Sequence, residues 1–314
     1  MRAILCNEWG DPDTLILGES DLPEPGLGEV KIRVRAAGVN YADLVLIRGQ
    51  YQEKPDFPFS PGLEGAGEVL EIGEGVTNLS VGDKVMAVTS KGAFAEEAIV
   101  PSNSIFSIPE GMDYFDAAVF PVAYGTSHLA LKERGNLKPE ETLLVLGAAG
   151  GVGLTAIECG KAIGAKVIAA ASTNEKLNLA KSYGADHVIN YLTEDLRSVV
   201  REVTGGKGVD MVYDPVGGDF SFKAMRSLAQ QGRYLIIGFA AGDIPSFPAN
   251  YLLIKNISVI GIFWGWYRLN QTETFRKSFS ELCKWYREGL VSPHVSQKFS
   301  LSEVPEALSV LETR

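Results

Sequence analysis

The sequence is poor in the residues that build metal centres and covalent frameworks. Its 314 residues include three cysteines, Cys6, Cys159 and Cys283, and three histidines, His128, His187 and His294, all far apart. No CxxC or HExxH spacing occurs, so spacing supports neither a zinc cluster nor a disulfide framework, and each cysteine reads as a small buried apolar residue. A GxSxG elbow is missing too, which removes the main support for a serine hydrolase. Long apolar runs are absent. The uncharged, apolar-rich stretch Leu143–Ile157 is shorter than the roughly 18 apolar residues of a membrane span, and glycines interrupt it. Glu8 appears before a signal-peptide apolar region can develop, so the expectation is a cytoplasmic protein with no membrane partner. Positive charge is scarce. The 29 bases against 39 acids leave a net charge of −10, which disfavours nucleic acid and anionic lipid. No internal repeat, charged tail or low-complexity linker occurs.

What is present is ordinary globular composition, 46% apolar and 22% charged, in a chain long enough for two domains. The first third carries short β-type runs at Val30–Ala36, Gly67–Ile72, Lys84–Val88 and Phe94–Val100. Pro23, Pro25, Gly26, Pro58, Pro61 and Gly82 punctuate them, as expected of a small, mostly β domain. From Thr142 the pattern becomes regular alternation. Strands are expected at Thr142–Gly147, Lys166–Ala171, His187–Asn190, Val209–Asp214, Arg233–Gly238 and Ser258–Ile262, with helices between them such as Val152–Ile163, Glu175–Tyr183 and Leu196–Val203. Six strands with helical crossovers predict an α/β fold with a doubly wound parallel sheet. An amphipathic helix, Glu273–Glu288, and a final helical pattern, Glu303–Thr313, follow.

The run Gly147-Ala-Ala-Gly150-Gly151-Val152-Gly153 lies between the first strand of this series and its helix. There, backbone amides and a helix N-terminus can hold a pyrophosphate, and a Cβ would keep the phosphate away. Taken alone, such a run is also a tight turn with close helix–strand packing. The strand, helix and following βαβ units in register favour a cofactor site. The second strand ends Ala171-Ser172-Thr173-Asn174, without the acid that would bind the ribose hydroxyls of NAD. Ser172, Thr173 and Lys176 can instead bind a 2′-phosphate, which favours NADPH. The alternative is a helix cap followed by a solvated lysine.

At this point the chain resembles the zinc-free medium-chain dehydrogenase/reductase superfamily, in its quinone oxidoreductase or ζ-crystallin-like branch. The resemblance is carried by Ala36-Ala-Gly-Val-Asn40-Tyr-Ala-Asp43, Arg48-Gly-Gln-Tyr51, Pro61-Gly-Leu-Glu-Gly-Ala-Gly67, Gly82-Asp-Lys-Val85, Ala148–Gly153, Val188-Ile-Asn-Tyr191 and Val212-Tyr-Asp-Pro-Val-Gly217. It implies a Rossmann NADPH-binding domain over residues 123–267. It also implies a mostly β, GroES-like catalytic domain from residues 1–122 and 268–314, the two facing each other across a cleft. Asn40 and Leu63 stand where zinc-dependent relatives carry a cysteine and a histidine ligand, which implies a metal-free reaction.

The activity so implied is hydride transfer from NADPH to a small apolar electrophile, a quinone, an enone or an enoyl thioester. Asn40 and Tyr51 would lie at the substrate. Tyr51 is either a proton donor or an aromatic wall, and Asn40 positions substrate or water. Thr126, Gly150, Gly151, Val152, Ser172, Lys176, Tyr191, Val216, Phe239 and Phe263 would contact the cofactor. Phe263-Trp264-Gly265-Trp266-Tyr267 suits nicotinamide and substrate contacts, and equally the edge-strand pairing of a homodimer. Two departures stand out. Val45 occupies a place where quinone reductases carry a pocket tyrosine, and Arg314 comes before the strand that closes the family's β domain. The competing reading is an NADPH-binding crystallin-like or vesicle-associated structural protein with little catalysis.

Overall fold

The computed structural model describes residues 1–312. The chain divides into two compact units, Met1–Val122 with Pro293–Arg314, and Ala123–Ser292. The first unit opens with an antiparallel pair, β1 (Arg2–Leu5) and β2 (Ile16–Glu19), absent from the sequence expectations because its runs are short and β2 is mostly exposed. Strand β3 (Glu29–Ala37) leads to helix α1 (Tyr41–Ile47). Then come β4 (Glu64–Ile72), β5 (Lys84–Val88), β6 (Glu97–Pro101) and β7 (Ile105–Ser107). They form an antiparallel sheet in the order β6-β3-β4-β5-β7 over a core that includes Val30, Ile32, Val69, Val85 and Val100.

Strand β4 begins three residues before the expected Gly67. Gly65 and Gly67 lie within the strand and serve a close strand approach. A Cβ on Gly67 would lie 1.8 Å from the Arg33 carbonyl oxygen, beside an irregularity in the β3–β4 register. β6 likewise begins at Glu97 rather than Phe94, because Phe94 turns into the core with its N–H and carbonyl bonded to Pro61 and Ile4.

Helix α2 (Tyr114–His128) contains the division between the units and runs on through Pro121. The second unit alternates β8 (Thr142–Val145), α3 (Gly151–Ile163), β9 (Lys166–Ala171), α4 (Asn174–Ser182), β10 (His187–Asn190), α5 (Leu196–Val203) and β11 (Val209–Asp214). It continues with α6 (Asp219–Arg226), β12 (Leu228–Ile236), α7 (Ala249–Lys255) and β13 (Ser258–Gly261). All six strands are parallel, in the order β10-β9-β8-β11-β12-β13, which is the doubly wound arrangement expected. Their inward faces are continuous apolar runs, as a sheet covered on both sides requires.

Helices α8 (Trp264–Asn270) and α9 (Thr272–Arg287) complete this unit, so the expected domain boundary at residue 268 is corrected to residue 293. The reason is packing. Phe275 and Phe279 of α9 lie against Trp264, and Ser278 bonds His128 at 2.8 Å, so the amphipathic face of α9 is buried within the parallel-sheet unit. The first unit closes with α10 (Val304–Val310), whose Val304 and Leu308 join Ile4, Leu44, Ile47 and Phe59 in a second core. The expected helix through Thr313 ends at Val310, and Thr313 itself lies outside the described residues. Among the described residues, no helix is long and apolar enough to cross a membrane.

Candidate active site

In the second unit the expected cofactor residues other than Thr126, which lies on α2, follow the carboxyl ends of the parallel strands, the place where doubly wound sheets bind ligands. After β8 the chain turns through Gly147, at φ +55°, to Gly150, the N-cap of α3. A Cβ on Gly153 would lie 2.3 Å from the Gly147 carbonyl oxygen, so this glycine closes the turn onto its helix. Gly151 differs. A Cβ there would meet nothing within 4 Å, so packing does not demand a glycine, and the open helix N-terminus suits a pyrophosphate. Val152 accepts the Ser127 hydroxyl at 3.1 Å, and Ser127 is also bonded to Thr155 and Tyr213, which ties the turn to α2 and β11.

Ser172 follows β9, and Lys176 in the first turn of α4 places Nζ 3.5 Å from the Ser172 hydroxyl. Thr173 caps the same helix through the Lys176 N–H. The Tyr191 N–H donates to the Ala171 carbonyl, which brings this residue beside Ser172, while its ring packs on Phe220 with centroids 4.4 Å apart. Val216 packs at Gly147, and Phe239 packs at Gly217. Thr126 and Phe263 are neighbours of a close contact in which Trp264 covers Gly125. The residues present therefore fit a dinucleotide: a bare turn for the pyrophosphate and a cation with hydroxyls at the end of β9.

Asp214 closes β11. It is buried, and its carboxylate accepts the Val216 and Gly217 N–H groups and the Ser221 and Tyr234 hydroxyls. Gly217 and Gly218 have positive φ, so this one carboxylate holds the turn that presents Val216. The signal is an acid closing the apolar run Met211-Val-Tyr213.

In the first unit Asn40 and Tyr51 flank α1. Asn40 is its N-cap, and Tyr51 follows its C-terminus, half-buried against the core of that unit. Asn40 forms a capping box with Asp43, whose Oδ2 accepts the Asn40 N–H at 2.8 Å. The Asn40 side chain donates through Nδ2 to Glu64 Oε1, also at 2.8 Å. Glu64 Oε2 accepts the Val122 N–H at 2.8 Å.

Both acids are fully buried. Burial pushes the Asp43 carboxyl up to about 7, against the pull of the nearby Asn40, Gly62 and Leu63 amides, and its Oδ1 has no hydrogen-bond partner. Burial pushes Glu64 up to about 8, opposed by its two hydrogen bonds and reinforced by the charge of Asp43. Glu64 and Asp43 are the residues that sequence reasoning missed. The available signal was a glutamate among the small residues of Gly62-Leu-Glu64-Gly-Ala, where a strand has no exposed face for it. Leu63 is buried beside them, and among the described residues no three His, Cys, Asp or Glu side chains assemble a metal-binding group.

Comparison with known proteins extends these observations. Residues 26–110 match the alcohol dehydrogenase GroES-like domain, and residues 151–285 match the zinc-binding dehydrogenase family. Mouse quinone oxidoreductase-like protein 2 is 43% identical over 308 residues, covering 98% of this chain and 87% of that protein. The human synaptic vesicle membrane protein VAT-1 homolog is 32% identical over 332 residues, covering 100% and 84%. Among solved structures, Escherichia coli quinone oxidoreductase complexed with NADPH superposes with a TM-score of 0.92 at 30% identity, covering 100% of this chain and 97% of that one.

Proposed function

The chain belongs to the medium-chain dehydrogenase/reductase superfamily, in its quinone oxidoreductase branch, and from that membership we propose that it reduces small apolar electrophiles with NADPH and without zinc. The acceptor classes are quinones, enones and enoyl thioesters. The observation that carries the cofactor reading is Lys176 beside Ser172 just past β9, where the strand itself ends without an acid and the first one, Glu175, belongs to the opening turn of α4. In support, the E. coli relative was solved with NADPH.

NADPH, when bound, supplies the hydride. The chain's own residues hold and orient. Gly150, Gly151 and Val152 receive the pyrophosphate, Ser172, Lys176 and Tyr191 receive the 2′-phosphate, and Thr126, Val216, Phe239 and Phe263 contact the rest. Asn40 positions the acceptor, and the Tyr51 phenol donates the proton that an enone or enoyl thioester needs. Zinc independence is supported by Asn40 and Leu63, since neither an amide nor an alkyl group replaces a thiolate or imidazole as a ligand. A homodimer pairing through β13, the edge of the parallel sheet, and a cytoplasmic location complete the proposal.

The similarity to the VAT-1 homolog gives the second reading, an NADPH-binding structural protein, its specific support. One experiment separates them: NADPH oxidation measured against quinones, enones and enoyl-CoA thioesters, with zinc determined by elemental analysis. Turnover of one acceptor class by zinc-free protein is expected. NADPH binding with no turnover of any acceptor selects the structural role, and activity lost to a chelator and restored by zinc removes the metal-free mechanism.

A further inference from the structure

We propose that Glu64 is the positioning residue for Asn40: its carboxylate turns Nδ2 inward, so that the second Nδ2 hydrogen is the donor offered to the carbonyl oxygen of the acceptor. This assignment rests on Asn40 as an acceptor-site residue and says which end of its amide does the work. A side-chain amide carries two donors and one acceptor oxygen, and nothing intrinsic prefers either orientation. Here Glu64 decides. Its Oε2 is committed to the Val122 N–H, a main-chain donor of α2 that cannot turn, which leaves Oε1 as an acceptor facing Asn40. The capping box with Asp43 holds the Asn40 main chain through Asp43 Oδ2 and the Asn40 side-chain oxygen through the Asp43 N–H, and the second Nδ2 hydrogen has no partner among the described residues.

The fold is built around this carboxyl. A Cβ on Gly38 would lie 2.3 Å from Glu64 Oε1 and 2.6 Å from the Ala118 carbonyl oxygen, so glycine at position 38 is what admits the glutamate. The chemistry needs such a donor. When hydride forms the new C–H bond at the β-carbon of an enone, the π electrons move to the carbonyl oxygen, and the α-carbon later takes a proton. The acceptor gains two electrons and the nicotinamide loses them. A fixed N–H at that oxygen stabilises charge that exists only as the bond forms.

Protonation of Glu64 would undo the arrangement. One of its oxygens must still accept from Val122, so the acid O–H faces Asn40, and the amide must turn Oδ1 toward it. Burial places this titration at about 8. Asp43, from α1, is the charged group that acts on Glu64. Its other neighbours are uncharged: Gly38 after β3, Val88 opposite it on β5, and Ala118 and Val122 on α2.

The test uses Glu64→Gln, whose amide oxygen can keep the Val122 bond while its NH₂ confronts Asn40. In protein labelled with ¹⁵N-asparagine at pH 9, the two Asn40 side-chain protons should be widely split, with one shifted downfield by the carboxylate. The splitting should collapse in Glu64→Gln, and in wild type as pH falls through about 8. At pH 9, with the most active acceptor and NADPH, Glu64→Gln and Asn40→Ala should lower kcat by similar factors, roughly 10²-fold, with little change in KM. The double variant should fall no further.

Asn40→Asp with Glu64→Gln reverses the pair, so it should recover Tm but not kcat. The proposal is overturned if Glu64→Gln retains the split protons or wild-type kcat, or if the reversed pair recovers activity as well as stability. Should wild type reduce no acceptor at all, the acceptor reading falls, while the split protons still decide whether Glu64 holds Asn40.

Discussion

The two units build their sites from different materials. In the parallel-sheet unit the proposed pyrophosphate site is main chain, a glycine turn at the start of α3, and a second turn after β11 is held by Asp214. In the antiparallel unit the groups are side chains, Asn40 and Tyr51, and the amide of Asn40 is held by a buried acid 24 residues away. A pyrophosphate is the same in every dinucleotide, so a fixed backbone cradle serves it. Acceptors vary, and a site made of side chains can vary with them. The difference predicts that substitutions in the first unit change chemistry and selectivity, while those in the second change binding and folding.

The largest effect tests the first half of that statement. Tyr51→Phe keeps the ring and removes the hydroxyl. If the phenol protonates the α-carbon after hydride addition, kcat on enones and enoyl thioesters should fall by roughly 10²- to 10⁴-fold. Quinone turnover, whose product takes protons on oxygen from water, should fall much less. Steady-state rates on matched acceptors decide it, and an unchanged kcat with altered KM would make Tyr51 a wall.

The second half is sharpest at two glycines two residues apart. In Gly153→Ala the new methyl meets the Gly147 carbonyl oxygen at 2.3 Å and the Ala148 main chain at 2.8 Å, so the turn must open. A loss of about 1–3 kcal/mol of stability is expected, read as a lower denaturant midpoint. In Gly151→Ala the methyl meets open space. Stability should hold while NADPH binding weakens by about tenfold or more, because the methyl stands where phosphate is received. Equal behaviour of the two variants would show that Gly151 faces no ligand.

Lys176→Ala asks a narrower question, since it alters a side chain in the unit that works mainly through its backbone. One charge-assisted contact to a 2′-phosphate is worth about tenfold in affinity, so NADPH should weaken by that factor and NADH hardly at all. Calorimetric titration of both cofactors reads the difference. Equal losses would mean that Lys176 is a surface charge near Ser172 and no more.

This division also explains what the sequence made legible. The parallel sheet, its six strands and its glycine turn are local patterns, because short apolar-rich runs alternate with helical segments and the glycines fall at the strand–helix junction. The antiparallel unit was harder. Gly65 and Gly67 lack the β-branched side chains that mark a strand and act through a neighbouring strand instead, so the start of β4 is not visible in sequence. The pairing of Asn40 with Glu64 depends on β3 and β4 lying side by side, and no spacing rule announces it. The boundary near α9 was misplaced because an amphipathic helix declares that it will pack and not against what. Asp43 and Glu64 passed unnoticed since a buried acid looks like any other acid until its surroundings are known.

The smallest effect follows from those buried acids. An acid whose pKa is raised in the folded state holds its proton there while the unfolded chain, titrating near 4, has released it. Stability therefore falls as pH rises through that window, and the cost is complete above the folded value. In the first unit Asp43, at about 7, and Glu64, at about 8, both act in this direction. In the second unit Glu158, raised by burial to about 7, does the same, but His128 opposes it. Burial lowers that imidazole to about 4, so below roughly 6.5 the unfolded chain takes up the proton that the folded chain refuses. Between pH 4 and 6.5 the two groups of the second unit offset each other, while those of the first unit add. Lowering pH from 8 to 5 should thus raise Tm mainly through the first unit. Glu64→Gln cannot titrate, so it should shrink that rise by a few degrees, at roughly 2–4 °C per kcal/mol for units of this size. Scanning calorimetry at the two pH values on both proteins measures it, and an unchanged rise would mean that water reaches Glu64 in the folded chain.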